Sequence, residues 1–179
     1  MKINLFSVPI FIENIDLNKI NLDNKGFEET WESKTISSHN FTNQLTNESS
    51  EYILRIIGNV LKQELNINFF LKINSIWENK YIDKDYQEKH LHPGSHFSFI
   101  IYKDVEKSNT TFIHLGERLI SSYIDNAKEL FKMFPILYKP VCTKGQIVIF
   151  PSFLEHMVLK NSKSLTIAGN LNIDFNKKT

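Results

Sequence analysis

Between Ser49 and Asn66 the chain reads SSEYILRIIGNVLKQELN, with Ile53, Ile56, Ile57, Val60, Leu61 and Leu65 at three- and four-residue spacing. That period gathers the apolar side chains on one face of a helix, and Ser49 or Ser50 is a residue type that caps one. Gly58 weakens the helix slightly. After residue 67 the period shortens to two. INFFLKINSIWENKY alternates polar Lys72 and Asn74 with apolar neighbours, and the runs 96–105, 109–116, 145–152, 156–161 and 164–175 are all strand-like. Residues 3–13 predict a strand or extended arm, which Pro9 pushes to a sheet edge. Residues 14–48 are polar and patchy, with short helical pieces expected near 16–20 and 27–31. Residues 117–133 are either an inserted helix or an irregular loop, and ILYKPVCTKG returns to strand.

This order predicts one α+β domain over residues 1–179, mainly β, whose strands close into a sandwich or barrel with the N-terminal helix packed outside. Composition agrees: hydrophobic residues make up 41% and aromatics 12%, a globular balance. The net charge of +1 offers no electrostatic grip on nucleic acid or an acidic membrane surface. The single cysteine, Cys142, excludes an internal disulfide framework and a cysteine-rich zinc module. The apolar start is broken by Pro9, Glu13 and Asn14, too short and polar for a signal segment or a membrane span, so a cytoplasmic location is the expectation. The arm at 3–13 could serve a homodimer.

Histidine distribution sharpens the picture. The chain has six, and three of them (His90, His92 and His96) crowd around Pro93-Gly94 in KHLHPGSH, just ahead of FSFIIY. Far downstream, GQIVIFPSFLEH places a turn glycine, a buried strand and a Pro-Ser breaker before His156. One His-x-His before a strand and one His after another can meet at the mouth of a rolled antiparallel sheet. Imidazole suits divalent iron, zinc or copper, and three such ligands leave open positions opposite. The plainer alternative is a polar loop entering a strand. His39 is expected to be solvated and His114, in TTFIHL, to be packed in a strand.

The wider pattern resembles the 2-oxoglutarate- and Fe(II)-dependent oxygenases of marine bacteria and their phages, relatives of the prolyl and aspartyl hydroxylases. LFSVPIF (5–11), Trp77 with Asn79, HLHPGSHFSFIIY (90–102), GQIVIFPSFLEHMVLKN (145–161) and LTIAGNLNI (165–173) carry the likeness almost end to end. The resemblance implies a double-stranded β-helix (jelly roll) and a dioxygenase, a hydroxylase in type. It would use Fe(II), 2-oxoglutarate and dioxygen on a prime substrate the sequence does not name, in the host cytoplasm if phage-encoded.

Carried over by position, His90 and His156 would ligate the metal. His92 stands where the superfamily usually has Asp or Glu, and is read as a third ligand. His96 would be a neighbour of the site. Asn79, Tyr102 and Thr166 would hydrogen-bond the 2-oxoglutarate carboxylates. The resemblance also implies an Arg on the last strand for the distal carboxylate, but the aligned residue is Ser164, and no Arg follows Arg118. Lys163, Lys160 or Arg118 would have to supply the charge, Lys163 with the help of a local bulge. Two alternatives stand beside the dioxygenase: a three-histidine, cupin-like metalloenzyme without 2-oxoglutarate, and a non-catalytic jelly-roll binding module. Substrate selection would lie in loops 33–50 and 115–140, where Ser121–Tyr123 and Phe131–Phe134 could form a lid.

Overall fold

The computed structural model describes residues 7–66, 68–82, 85–105, 108–124, 135–160 and 163–175. Its elements, in chain order, are β1 (Phe11–Asn14), a 3-10 turn (Leu17–Lys19), β2 (Leu22–Asn24), β3 (Glu28–Thr30), β4 (Thr35–Ser37), β5 (Asn43–Leu45) and α1 (Asn47–Leu65). Then come β6 (Phe70–Tyr81), β7 (Gln87–His90), β8 (Phe97–Val105), β9 (Thr110–Ile113), α2 (Glu117–Ile124), β10 (Leu137–Tyr138), β11 (Gln146–Pro151), β12 (His156–Val158) and β13 (Ser164–Asp174).

Seven strands form one antiparallel sheet in the order β1-β11-β8-β13-β6-β4-β3. A four-stranded sheet, β10-β9-β12-β7, faces it, and β2 pairs with β5 separately. The alternation along β8 explains the two layers. Phe99 and Ile101 point outward to Ile53, Ile57 and Leu61 of α1, together with Ile147, Ile149, Ile167 and Leu171. Ile100 and Tyr102 point inward to Phe112, Val148 and Phe150, between the sheets. Each α1 isoleucine or leucine that is fully buried contributes about 2 kcal/mol. This is the double-stranded β-helix with its helix outside.

The helix starts earlier than the serines suggested. Thr46 is the cap, its side chain accepting from the Ser49 backbone N–H, and Asn66 closes the helix in the left-handed region at φ 50°. Ser49 instead binds the preceding arm through the Lys19 carbonyl and the Asn21 N–H. The helical piece expected near 16–20 is the 3-10 turn; residues 28–30, expected as helix, form strand β3. Short polar strands such as β2–β5 carry little periodicity, so pairing with neighbours decides them. Of the arm expected at 3–13, residues 3–6 lie outside the described residues, and the end of the remainder enters β1 at the sheet edge, against β11. Among the described residues no helix is long and apolar enough to cross a membrane.

Candidate metal centre

The structure brings His90, His92 and His156 together. Their ligand nitrogens all lie within 4.8 Å of one another. Cross-strand pairing accounts for two of them: His156 opens β12 directly opposite His90, the last residue of β7. Facing residues of an antiparallel pair share one face of the sheet, and here that face looks into the sandwich. The sequence pattern hides β7, because QEKH has no apolar alternation; β12 recruits it.

His92 arrives by a different route. It follows β7 in the Pro93-Gly94 turn, where Gly94 takes φ 84°, a value costly for residues with a Cβ. The turn is pinned to the Pro-Ser breaker: the His92 N–H donates to the Ser152 carbonyl at 3.0 Å, and the Ser152 N–H donates to the His96 carbonyl at 3.0 Å. A row of side chains then ties this corner across the large sheet. Ser152 Oγ and Ser98 Oγ are 2.8 Å apart, Ser98 donates to Asn170 Oδ1 at 2.8 Å, and Asn170 Nδ2 donates to Ser75 Oγ at 3.0 Å. The two histidine segments are therefore joined directly, by strand pairing and by these backbone bonds, and braced further by strands that neither belongs to.

Tautomers follow from acceptors. His90 Nδ1 is 2.6 Å from the Glu88 carbonyl and His156 Nδ1 is 3.1 Å from the Leu154 carbonyl. A carbonyl only accepts, so each Nδ1 carries the proton and each Nε2 keeps its lone pair. The Nε2 atoms of His92 and His156 are 3.4 Å apart. Burial disfavours the charged form of all three rings. Burial lowers His90, partly offset by its hydrogen bond to the Glu88 backbone and by the Glu88 charge. Burial, then repulsion from His90 and His39, takes His92 down to about 4. Burial, then His90 and His92, takes His156 well below its ordinary value. Phe150 and Phe112 wall the cluster, with ring centroids 4.8 and 5.8 Å from His156. A neutral set of three imidazoles, two of them oriented by backbone carbonyls, fits a divalent transition metal.

A pocket runs from the histidines between the sheets. Register sets its walls. Thr166 lies opposite Asn79 on one side and Tyr102 on the other, so three residues singled out in the sequence form one row across β6, β13 and β8. Ser37 donates to Asn79 Oδ1 at 2.7 Å, which leaves the amide nitrogen as the donor that Asn79 can offer. Ser164, paired with Tyr81, also lines the pocket.

The far end is closed around Tyr102 by the hydroxyls of Tyr81, Ser108 and Thr110, which the sequence pattern did not single out. Tyr102 donates to Thr110 Oγ1 at 2.9 Å and accepts from Ser108 at 2.8 Å, and Tyr81 donates to Gln87 at 2.8 Å. Each of these phenols spans from the large sheet to the facing side. Burial pushes Tyr102 up to about 12 and Tyr81 higher still, so both stay protonated donors. Tyr81 was legible in principle, two residues beyond Asn79 on the same strand face.

Other expectations fall differently. Lys163 is exposed, precedes β13 and does not line the pocket; the register shift of β13 comes at Leu165/Thr166 and leaves Lys163 outside. Lys160 sits over the Tyr86 ring, 5.0 Å from its centroid, and Arg118 is exposed on α2. His96 is outside the cluster, accepting from the Ile173 N–H at Nδ1. His114, expected to be packed, is exposed and accepts the Gly116 N–H at the start of α2. His39 is exposed, but its ring also rests edge-on against Trp77. Phe131–Phe134 lie outside the described residues.

Comparison with known proteins matches this architecture. The family described as "Putative 2OG-Fe(II) oxygenase" matches residues 75–168, the stretch from β6 into β13 that holds all three histidines. None of the curated proteins matches. Among solved structures, HygX from Streptomyces hygroscopicus, with nickel, 2-oxoglutarate and hygromycin B bound, superposes with a TM-score of 0.52. The identity is 10%, covering 94% of this chain and 84% of that one. An oxidoreductase of the 2OG-Fe(II) oxygenase family from Burkholderia pseudomallei superposes with a TM-score of 0.50 at 14% identity, covering 91% and 68%. The superpositions speak for the fold; the family match over more than half of the sequence makes this chain a member of the 2OG-Fe(II) oxygenase family.

Proposed function

We propose that the protein is a non-haem Fe(II)- and 2-oxoglutarate-dependent dioxygenase that hydroxylates a prime substrate, working as a single domain. The observation that carries this reading is the convergence of His90, His92 and His156 at one end of an enclosed pocket in a chain of this family. These three imidazoles would hold the iron, His92 taking the place of a carboxylate. When bound, the metal supplies a site where 2-oxoglutarate and dioxygen meet.

The chain's own residues do the rest. Asn79, Thr166 and Ser164 receive the 2-oxo acid with neutral donors, beside the Tyr102 hydroxyl, whose own proton goes to Thr110. Phe112, Phe150, Ile100 and Val148 keep the floor dry, which strengthens each polar contact made above it. The Glu88 and Leu154 carbonyls hold the Nδ1 protons of His90 and His156 away from the metal face. Trp77 lines the pocket and carries a buried indole N–H without a partner, a donor available to a bound ligand.

The test begins with metal. Wild-type protein binds one Ni(II) or Fe(II) per chain, and His90→Ala and His156→Ala lose affinity at least a hundred-fold while remaining folded. Anaerobic Fe(II) plus 2-oxoglutarate gives a weak visible charge-transfer band that neither gives alone. Absence of metal binding by the folded wild-type protein rules the reading out. The three-histidine metalloenzyme without 2-oxoglutarate stays in view for one reason: among the described residues, no Lys or Arg lines the pocket. Metal binding with oxygen consumption but no succinate would select it.

A further inference from the structure

2-Oxoglutarate is a dicarboxylate, and binding its 2-oxo acid end at a metal leaves the second carboxylate to be buried deeper. The walls around that position are Asn79, Tyr81, Gln87, Tyr102, Ser108 and Thr110, with Ser164 and Thr166 beside them. All are uncharged, and no Lys or Arg lines the pocket among the described residues. Asn79, Gln87, Tyr102, Ser108, Thr110 and Thr166 are all buried.

Their hydrogen bonding is also largely internal. The Tyr102 hydroxyl is bonded to both Ser108 and Thr110, and Tyr81 is bonded to Gln87. Such a lining is neutral and mostly satisfied without a ligand. It gives a carboxylate some hydrogen bonds but no opposite charge, so burying that carboxylate forfeits most of what it loses by leaving water. A tail without charge loses far less water and meets Ile100, Val158 and Ala168 on the same walls.

We propose that this pocket discriminates little between 2-oxoglutarate and uncharged-tail 2-oxo acids of the same length, and uses both as co-substrates. The inference rests on the dioxygenase reading above. Its stoichiometry is balanced for either acid. The C1–C2 bond breaks, C1 leaves as carbon dioxide, and C2 becomes a carboxylate carrying one atom of dioxygen. The other oxygen atom enters a substrate C–H bond as hydroxyl. The 2-oxo acid and the substrate each supply two of the four electrons that reduce dioxygen. 2-Oxoglutarate yields succinate, and 2-oxopentanoate, which has a methyl group in place of the second carboxylate, yields butyrate.

The deciding experiment is an anaerobic titration of the full-length Fe(II) protein with each acid, read by the charge-transfer band. Dissociation constants within about ten-fold of each other support the proposal. Preference for 2-oxoglutarate by more than about thirty-fold, the scale of a buried charge pair, overturns it and assigns a cation from outside the described residues. Ser164→Arg places a guanidinium in the pocket; it should shift the ratio at least ten-fold towards 2-oxoglutarate, whereas an unchanged ratio in the folded variant counts against the proposed pocket. Should Ser164→Arg fail to fold, the wild-type ratio decides alone. Iron binding with no band from either acid overturns the 2-oxoglutarate reading itself and this inference with it, an outcome distinct from a strong preference.

Discussion

Ser98→Ala tests whether the polar row across the large sheet positions the metal ligands. Ser98 is 1% exposed and bonds to two neighbours at 2.8 Å, Ser152 and Asn170. Truncation removes both bonds, each worth about 1 kcal/mol net, and strands the equally buried Ser152 hydroxyl, which adds roughly another 1 kcal/mol. Asn170 is half-buried and recovers part of its loss from water. The sum is about 2.5 kcal/mol, or a Tm lower by about 5–10 °C for a chain of this size. Ser152 holds the backbone of His92, so slack there should also weaken Ni(II) binding by about ten-fold. Urea unfolding and calorimetric metal titration measure the two effects. Ser75→Ala, at the exposed end of the same row, is the control: it loses only the bond from Asn170 and should leave both quantities nearly unchanged. If Ser98→Ala behaves like Ser75→Ala in both assays, the row is not what positions the site.

Stripped of metal, the protein should lose stability as pH falls from 7 towards 4. The unfolded imidazoles take up protons near 6.5, whereas folded His92 does so only near 4 and His90 and His156 are also held down, so the unfolded state gains protons first. A urea midpoint that stays flat between pH 7.5 and 5 contradicts this. Gly169→Ala would set a Cβ 2.5 Å from Phe99 Cζ and 3.1 Å from the Ser75 carbonyl, and Phe99 is fully buried; a loss of about 1–3 kcal/mol is expected, and an unchanged melting curve refutes it. Trp77→Phe removes a buried N–H that has no partner, so apo stability should change by less than about 1.5 kcal/mol, while the 2-oxo acid binds several-fold more weakly. Equal affinity in the two proteins would show that the indole N–H is not used.

Periodicity was enough for the long elements. α1 and the strands β6, β8, β11 and β13 carry their apolar positions at the spacing of their own geometry, because one face of each must be buried whatever its neighbours are. The histidine motifs were legible for a related reason: Pro93-Gly94, Gly145 and Pro151-Ser152 are local turn signals, and they bracket His92 and His156. The register of three long strands then put Asn79, Tyr102 and Thr166 in one row, as their alternation allowed.

Tertiary structure decided what no local pattern contains. β7 is a strand because β12 pairs with it, and that pairing sets His90 opposite His156. Ser108, Thr110 and Gln87 belong to the pocket only because Tyr102 and Tyr81 reach across to them. Lys163 looked able to supply a charge, yet sits outside, since β13 begins one residue later and its irregularity falls beyond Leu165. Spacing along a chain determines which face a residue shares with its neighbours. Which faces meet, and whether a charge waits between them, depends on contacts between residues far apart in sequence, which only the closed sandwich brings together.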